Sequence, residues 1–160
     1  MANKNNLREI GACMKKEVAV LPPDAKLINA VKLMAKKSIS CVIIIKDKKP
    51  VGILTERDMI KRVLMKKLDP KKEIIEKVMS SPVFSVQPEA ILVPTGELMK
   101  KKKIRRFAVT DKNGNLVGLV TQTDIIEGIL KLVKHLDWKL VTMKISVAEY
   151  IKKLKELRIL

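Results

Sequence analysis

Two short stretches combine a hydroxyl and a carboxylate at one fixed spacing. Thr55 precedes Asp58 by three residues, and Thr121 precedes Asp124 in the same way. Each pair follows a glycine and two aliphatic residues, Gly52-Ile53-Leu54 in one case and Gly118-Leu119-Val120 in the other. A hydroxyl and an acid one helical turn apart can do two things. The hydroxyl can cap a helix while the acid reaches back to close a capping box, and an acid in the first turn also suits the helix dipole. Alternatively, the pair can hold a sugar-phosphate. The helix start offers N–H groups and partial positive charge to a phosphate. The hydroxyl can donate to phosphate or accept from a sugar, and the carboxylate can accept from both hydroxyls of a ribose. Gly52 and Gly118 admit close approach of backbone to a ligand, and the strand ends of α/β folds are where ligands gather.

The elements that position these pairs come from an internal repeat. Val51–Ile60 (VGILTERDMI) recurs 66 positions later as Val117–Ile126 (VGLVTQTDII). AVLPPDA (Ala19–Ala25) pairs with SVQPEA (Ser85–Ala90), and Met34 with Met99. Insertions fall near Pro22-Pro23 and Asn113-Gly114, where turns are expected. Each copy reads as strand, helix, strand, tight turn, strand, helix. Short strands end at Val20 and Val86. Asp24 is expected to cap a helix over 25–37 with Leu27, Ala30, Val31 and Met34 on one face. Its counterpart covers 90–102, with Pro94 in the first turns. Buried strands are expected at Cys41–Ile45 and Phe107–Thr110, and Asn113-Gly114 signals a hairpin. Asp69-Pro70 predicts a connecting helix to about Val78. Beyond the repeat, Lys139–Ile145 alternates like a strand. Ser146 and Glu149 form a capping box for a helix whose stripe is Val147, Ile151, Leu154 and Leu157. That tail is a candidate docking or dimerisation element. Phe84 and Phe107 are expected in the core, with Trp138 and Tyr150 packed against it.

Composition narrows the class. The chain has 160 residues, 47% apolar and 32% charged, which fits a folded globular protein. No stretch has the length of a transmembrane helix, and the N-terminus lacks the apolar core of a secretory signal. Cys13, Cys41 and His135 make no familiar zinc spacing, so two reduced thiols in a cytoplasmic protein and no metal are expected. No catalytic triad or phosphate-binding loop of the Walker type is present, so no enzyme and no catalytic cofactor are expected. The net charge of +17 favours anionic partners without choosing among them. The run Lys100–Arg106 reads as a solvated helix end plus a phosphate contact, or as a nucleic-acid surface. Nonspecific nucleic-acid binding at low salt is expected from charge alone.

The repeated G-h-h-T-x-x-D signature, the V-x-P-[DE] start and the following helix with its Leu-Met pair resemble the CBS motif, named after cystathionine beta-synthase, in tandem as a Bateman module. The resemblance covers about residues 7–134. It implies an α/β (α+β) fold in which two β-α-β-β-α units pack by their sheets about a pseudo-twofold axis. The expected division is 7–68, 69–134 and an extension over 135–160. It also implies a non-catalytic sensor that binds AMP, ADP, ATP or an S-adenosyl compound in clefts between the motifs, forms homodimers, and acts on an effector protein. The alternative is a basic nucleic-acid-associated protein that uses the pair as a ligand switch. By resemblance, Asp58 and Asp124 bind ribose, while Thr55 and Thr121 are the helix-start hydroxyls. Arg105-Arg106 occupies the position of a basic pair that reaches phosphate, where the first copy has Ser40-Cys41, and Asp58 is expected to combine with Arg105 or Arg106. Val20, Gly52 and Arg57 complete the first set of expected ligand residues. Ser85, Val86, Ile104 and Gly118 complete the second.

Overall fold

The computed structural model describes residues 6–143 and 146–156. The first copy consists of β1 (Val20–Leu21), α1 (Leu27–Lys37), β2 (Cys41–Lys46), β3 (Lys49–Thr55) and α2 (Glu56–Asp58). α2 continues without a break as wider π turns over Met59–Leu64. The second copy consists of β4 (Ser85–Val86), α3 (Leu92–Lys102), β5 (Arg106–Thr110), β6 (Leu116–Thr121) and α4 (Gln122–Met143), and α5 (Val147–Glu156) follows. The fold is α+β, with two three-stranded sheets in the orders β1-β2-β3 and β4-β5-β6. β1 runs parallel to β2, and β2 runs antiparallel to β3 with Cys41 opposite Thr55. The β2–β3 register shifts between Ile44 and Ile45, whose partner is Pro50, a residue with no N–H to give the ladder.

The chain divides into two compact units. One comprises Lys15–Ser85 and Ala108–Leu119; the other comprises Met1–Met14, Val86–Phe107 and Val120–Leu160. In the first unit the core is aliphatic: Leu27, Ala30, Met34, Val42, Ile44, Leu54, Val63, Ile75 and Val78 are buried together. Continuous burial from Cys41 to Ile44 explains why β2 reads as an unbroken apolar run rather than an alternating one. The two hairpins turn differently. Gly114 supplies φ +81 in the second, where the Asp111 carboxylate accepts from the N–H groups of Asn113 and Asn115 and from Asn115 Nδ2. These bonds, that from the Asn115 side chain foremost, hold the Asp111 carboxyl below its ordinary range. In the first hairpin Asp47 and Lys48 both take positive φ without a glycine.

A short leading segment seats on each copy's first helix. In one unit, the Ile10 and Gly11 N–H groups donate to Ala90 and Pro88, and Leu92 N–H donates to Arg8. In the other unit, Ile75 and Glu76 N–H groups donate to Ala25 and Pro23, and Leu27 N–H donates to Glu73. Ile10 and Ile75 are both fully buried. The segment preceding the first copy thus serves the helix of the second, and the linker serves the helix of the first.

Several expectations are corrected. α1 begins after Lys26, not after Asp24, because Ala25 N–H closes a turn onto Pro22 before the helix starts. Likewise α3 begins after Ile91. Val31 is exposed, and the buried stripe is Leu27, Ala30 and Met34. Asp69 caps a single turn rather than a helix, since Lys26 and Ile74 bridge and draw the chain into extended form. Phe84 is 43% exposed; its carbonyl accepts Ala108 N–H as the chain enters β4, and only Phe107 is buried. The expected strand at Lys139–Ile145 is helical as far as Met143, where α4 ends, and its last two residues lie outside the described set. No glycine or proline follows Gly128 to stop that helix. The Ser146–Glu149 capping box forms, and Leu154 is buried while Val147 and Ile151 are exposed. Tyr150 is half-buried. The side chain of Trp138, and Leu157, lie outside the described residues.

Candidate functional site

Each Thr-x-x-Asp pair sits where the last strand of its copy turns into a helix. Thr55 is extended (φ −117, ψ 162), which ends β3 and frees its side chain to face the first turn. Asp58 Oδ2 accepts from Thr55 N–H at 3.0 Å and from Thr55 Oγ1 at 2.6 Å, while Asp58 N–H donates to Thr55 Oγ1 at 3.2 Å. The second copy repeats this at 2.8, 2.6 and 3.2 Å. Both are complete capping boxes.

This geometry narrows the chemistry available. The threonine hydroxyl gives its one proton to the acid and takes one N–H, so it keeps a single lone pair and acts as an acceptor, not as a phosphate donor. The first helical N–H is also used: Glu56 donates to Ser40 O and Gln122 to Arg105 O, each at 3.1 Å. Ser40 and Arg105 hold matching places in the repeat, so each copy ties its helix start to the residue that precedes or opens its central strand. What remains for a ligand is an acid whose Oδ2 is fixed by the cap. Asp58 is mostly buried, and Asp124 is 5% exposed.

Around Asp58, Oδ1 receives Ser80 Oγ at 3.4 Å and lies 3.5 Å from Arg62 Nη2. Arg62 Nη1 also donates to the carbonyls of Val78 and Met79 at 2.8 and 2.9 Å. The Val78–Ser80 segment is held beside the acid by reciprocal bonds between Ser80 and Ile53. The Met79 thioether lies where a side chain on Gly52 would go, so Gly52 makes room for Met79 rather than for a ligand. Around Asp124, the position matching Arg62 is Gly128, whose Cβ would stand 3.1 Å from Leu92 Cδ1 and 3.2 Å from Cys13 Cβ. Cys13 is pushed up to about 11, by burial first and by the Asp124 charge second. Lys15, the counterpart of Ser80, bridges Leu119 as Ser80 bridges Ile53.

The other expected residues fall as follows. Val20 and Val86 are half-buried on the outer strands, Ser85 is exposed, and Cys41 is buried at the start of β2. Ser40 and Ile104 are half-buried, Arg57 and Arg105 are exposed, and Arg106 is half-buried at the start of β5. Gly118 is buried within β6. Arg105 and Arg106 belong to the unit of Asp124 rather than that of Asp58. Lys100–Lys103 lie exposed over the last turn and cap of α3, the solvated helix end expected of them. Sequence reading missed Arg62, Ser80 and Met79. A signal existed, because Ile75-x-x-x-Met79 repeats Ile10-x-x-x-Met14 and extends the duplication upstream.

A model of the CBS domain matches residues 7–65 and 75–131. The curated protein MK0525 of Methanopyrus kandleri is 32% identical over 119 residues, 74% of this chain and 61% of that protein. The chain spans about three-fifths of the first curated relatives it matches. The CBS domain protein TA0289 of Thermoplasma acidophilum, of unknown function, superposes with a TM-score of 0.67 at 25% identity, covering 76% of this chain and 74% of that one. The CBS domain pair of MJ0100, solved with 5′-methylthioadenosine and S-adenosyl-L-methionine, gives 0.67 at 25% identity, covering 74% and 93%. Among the described residues no helix is long and apolar enough to cross a membrane.

Proposed function

The chain belongs to the CBS-domain family, and on that premise we propose that it is a non-catalytic regulatory module whose Thr-x-x-Asp acids recognise the ribose of an adenosyl compound. The observation that carries this reading is the division of labour within the carboxylate. The cap fixes Oδ2, while the two donors to Asp58 Oδ1 stand at 3.4 and 3.5 Å. Ribose hydroxyls reaching about 2.7 Å make shorter, stronger bonds to a carboxylate than those occupants do. The MJ0100 pair, bound to two adenosyl compounds, supports that ligand class. Arg105 and Arg106, with the high positive charge around them, supply cations for a phosphate, which favours AMP, ADP or ATP beside S-adenosyl compounds.

The module works in the cytoplasm by binding its ligand more tightly in one arrangement than in another, which shifts the population seen by an effector protein. It also pairs with a second copy of itself. Ile60 and Leu64 in the first copy match Ile126 and Leu130 in the second, and all four are more than half exposed. An apolar pair recurring at the same helical positions is suited to burial in a symmetric contact. Sedimentation of Ile60→Glu/Ile126→Glu tests this, with a shift from dimer to monomer expected.

Calorimetric titration with AMP, ATP and S-adenosylmethionine tests the central reading. Micromolar affinity that resists salt is expected, with loss of at least ten-fold in Asp58→Ala/Asp124→Ala, the loss of about one charge-assisted hydrogen bond. Affinity unchanged in a folded double variant overturns it.

A further inference from the structure

The carboxylate of Asp58 is used on both sides. Oδ2 accepts two bonds from Thr55, and Oδ1 faces Ser80 Oγ and the Arg62 guanidinium. A ribose diol that binds this acid has to take Oδ1, so it competes with both. Ser80 can rotate its hydroxyl away at little cost. Arg62 cannot follow the sugar or withdraw freely, because its Nη1 is pinned by the carbonyls of Val78 and Met79 at 2.8 and 2.9 Å. Those carbonyls are themselves fixed, since Met79 packs over Gly52 and Ser80 exchanges backbone bonds with Ile53. The guanidinium is therefore held at the acid from the far side. In the second repeat the same helical position is Gly128, where an added Cβ alone would stand 3.1 Å from Leu92 Cδ1 and 3.2 Å from Cys13 Cβ.

We propose that Arg62 is a specificity-determining residue that weakens ribose recognition at Asp58, so that the first acid discriminates less between ribose and deoxyribose ligands than its own geometry allows. This rests on the adenosyl-binding reading above. Arg62 acts through the sugar-facing oxygen, so its effect on discrimination falls on the hydroxyls of the ligand.

The test compares AMP with its 2′,3′-dideoxy counterpart by calorimetry. It uses the otherwise unaltered chain and the Asp124→Ala chain, each with and without Arg62→Gly, which installs the residue of the second repeat. Removal of Arg62 is expected to raise the preference for AMP over the dideoxy ligand about two-fold, the range of an ion pair at this i,i+4 helical spacing. Taking the ratio cancels any change in attraction for the phosphate. Arg62→Gln, which removes the cation without placing a glycine in the helix, gives the same gain and separates the loss of the guanidinium from any loosening of the helical backbone. An unchanged or lowered preference in both variants overturns the role of Arg62 while nucleotide binding stands. Absence of binding by AMP, ATP and S-adenosylmethionine alike in the unaltered chain overturns both readings together.

Discussion

The two repeats build the same helix start and then surround it differently. Thr55–Asp58 and Thr121–Asp124 agree to within 0.2 Å in every capping distance. One turn later the first has Arg62 and π turns, and the second has Gly128 in a regular helix. Duplication kept the cap, which any helix needs, and let the far side of each acid diverge. A local motif can therefore be shared while the electrostatics around it are not.

The largest expected effect concerns the thiol beside the second acid. With its pKa moved from 9.0 to about 11, Cys13 carries about a hundred-fold less thiolate near pH 8. Alkylation of Cys13 in a Cys41→Ser chain, followed by mass spectrometry, is expected to be slow at pH 8 and to rise steeply only above about pH 10. Asp124→Asn removes one cause of the shift and speeds the reaction. The sign for stability follows: the raised value favours the protonated thiol, so this contribution is present below pH 9 and is lost as pH climbs toward 11. A reaction already fast at pH 8 breaks the contrast with the first repeat, where Val78 holds the matching place.

Next is the swap at the position that differs. Gly128→Arg, which brings in the first repeat's residue, forces Leu92 and Cys13 apart and is expected to cost about 1–3 kcal/mol by thermal or denaturant unfolding. Smaller and equal losses, about 1 kcal/mol each, are expected for Thr55→Ala and Thr121→Ala. A difference between them as large as either loss shows that the caps are not equivalent. The smallest effect is the Asp58–Arg62 coupling itself. A double-mutant cycle is expected to give about 0.3–0.5 kcal/mol, because Arg62 is 41% exposed.

Much of this was legible from residue types. The doubled Gly-h-h-Thr-x-x-Asp segment located both strand ends and both caps, because a hydroxyl at the turn and an acid three residues on satisfy each other locally. Asn113-Gly114 marked its hairpin for the same local reason, and the tight turn expected in the first copy forms on Asp47 and Lys48, both at positive φ without a glycine. The failures occur where a distant partner decides. Asp69-Pro70 has a good helix start, but Leu27, Lys26 and Ala25 claim the backbone that follows. Gly52 looked like room for a ligand until Met79 filled it. Arg62 carries no signal of its own in a chain with 34 lysines and arginines, and only the fold brings the Val78 and Met79 carbonyls to it. Lys139–Met143 alternates weakly enough for either period, and an uninterrupted helix upstream decided it.

The leading segments make each half depend on the other. Each repeat covers its sibling's first helix with residues that come just before its own opening strand, so neither half owns its lid. A solitary repeat would have to take that cover from another molecule, at whatever concentration that molecule is present. Two repeats joined in one polypeptide make that cover an internal exchange, where the effective concentration is on the order of millimolar. Cutting the chain between residues 66 and 72 and mixing the pieces should therefore yield mutual rescue rather than two independent folds.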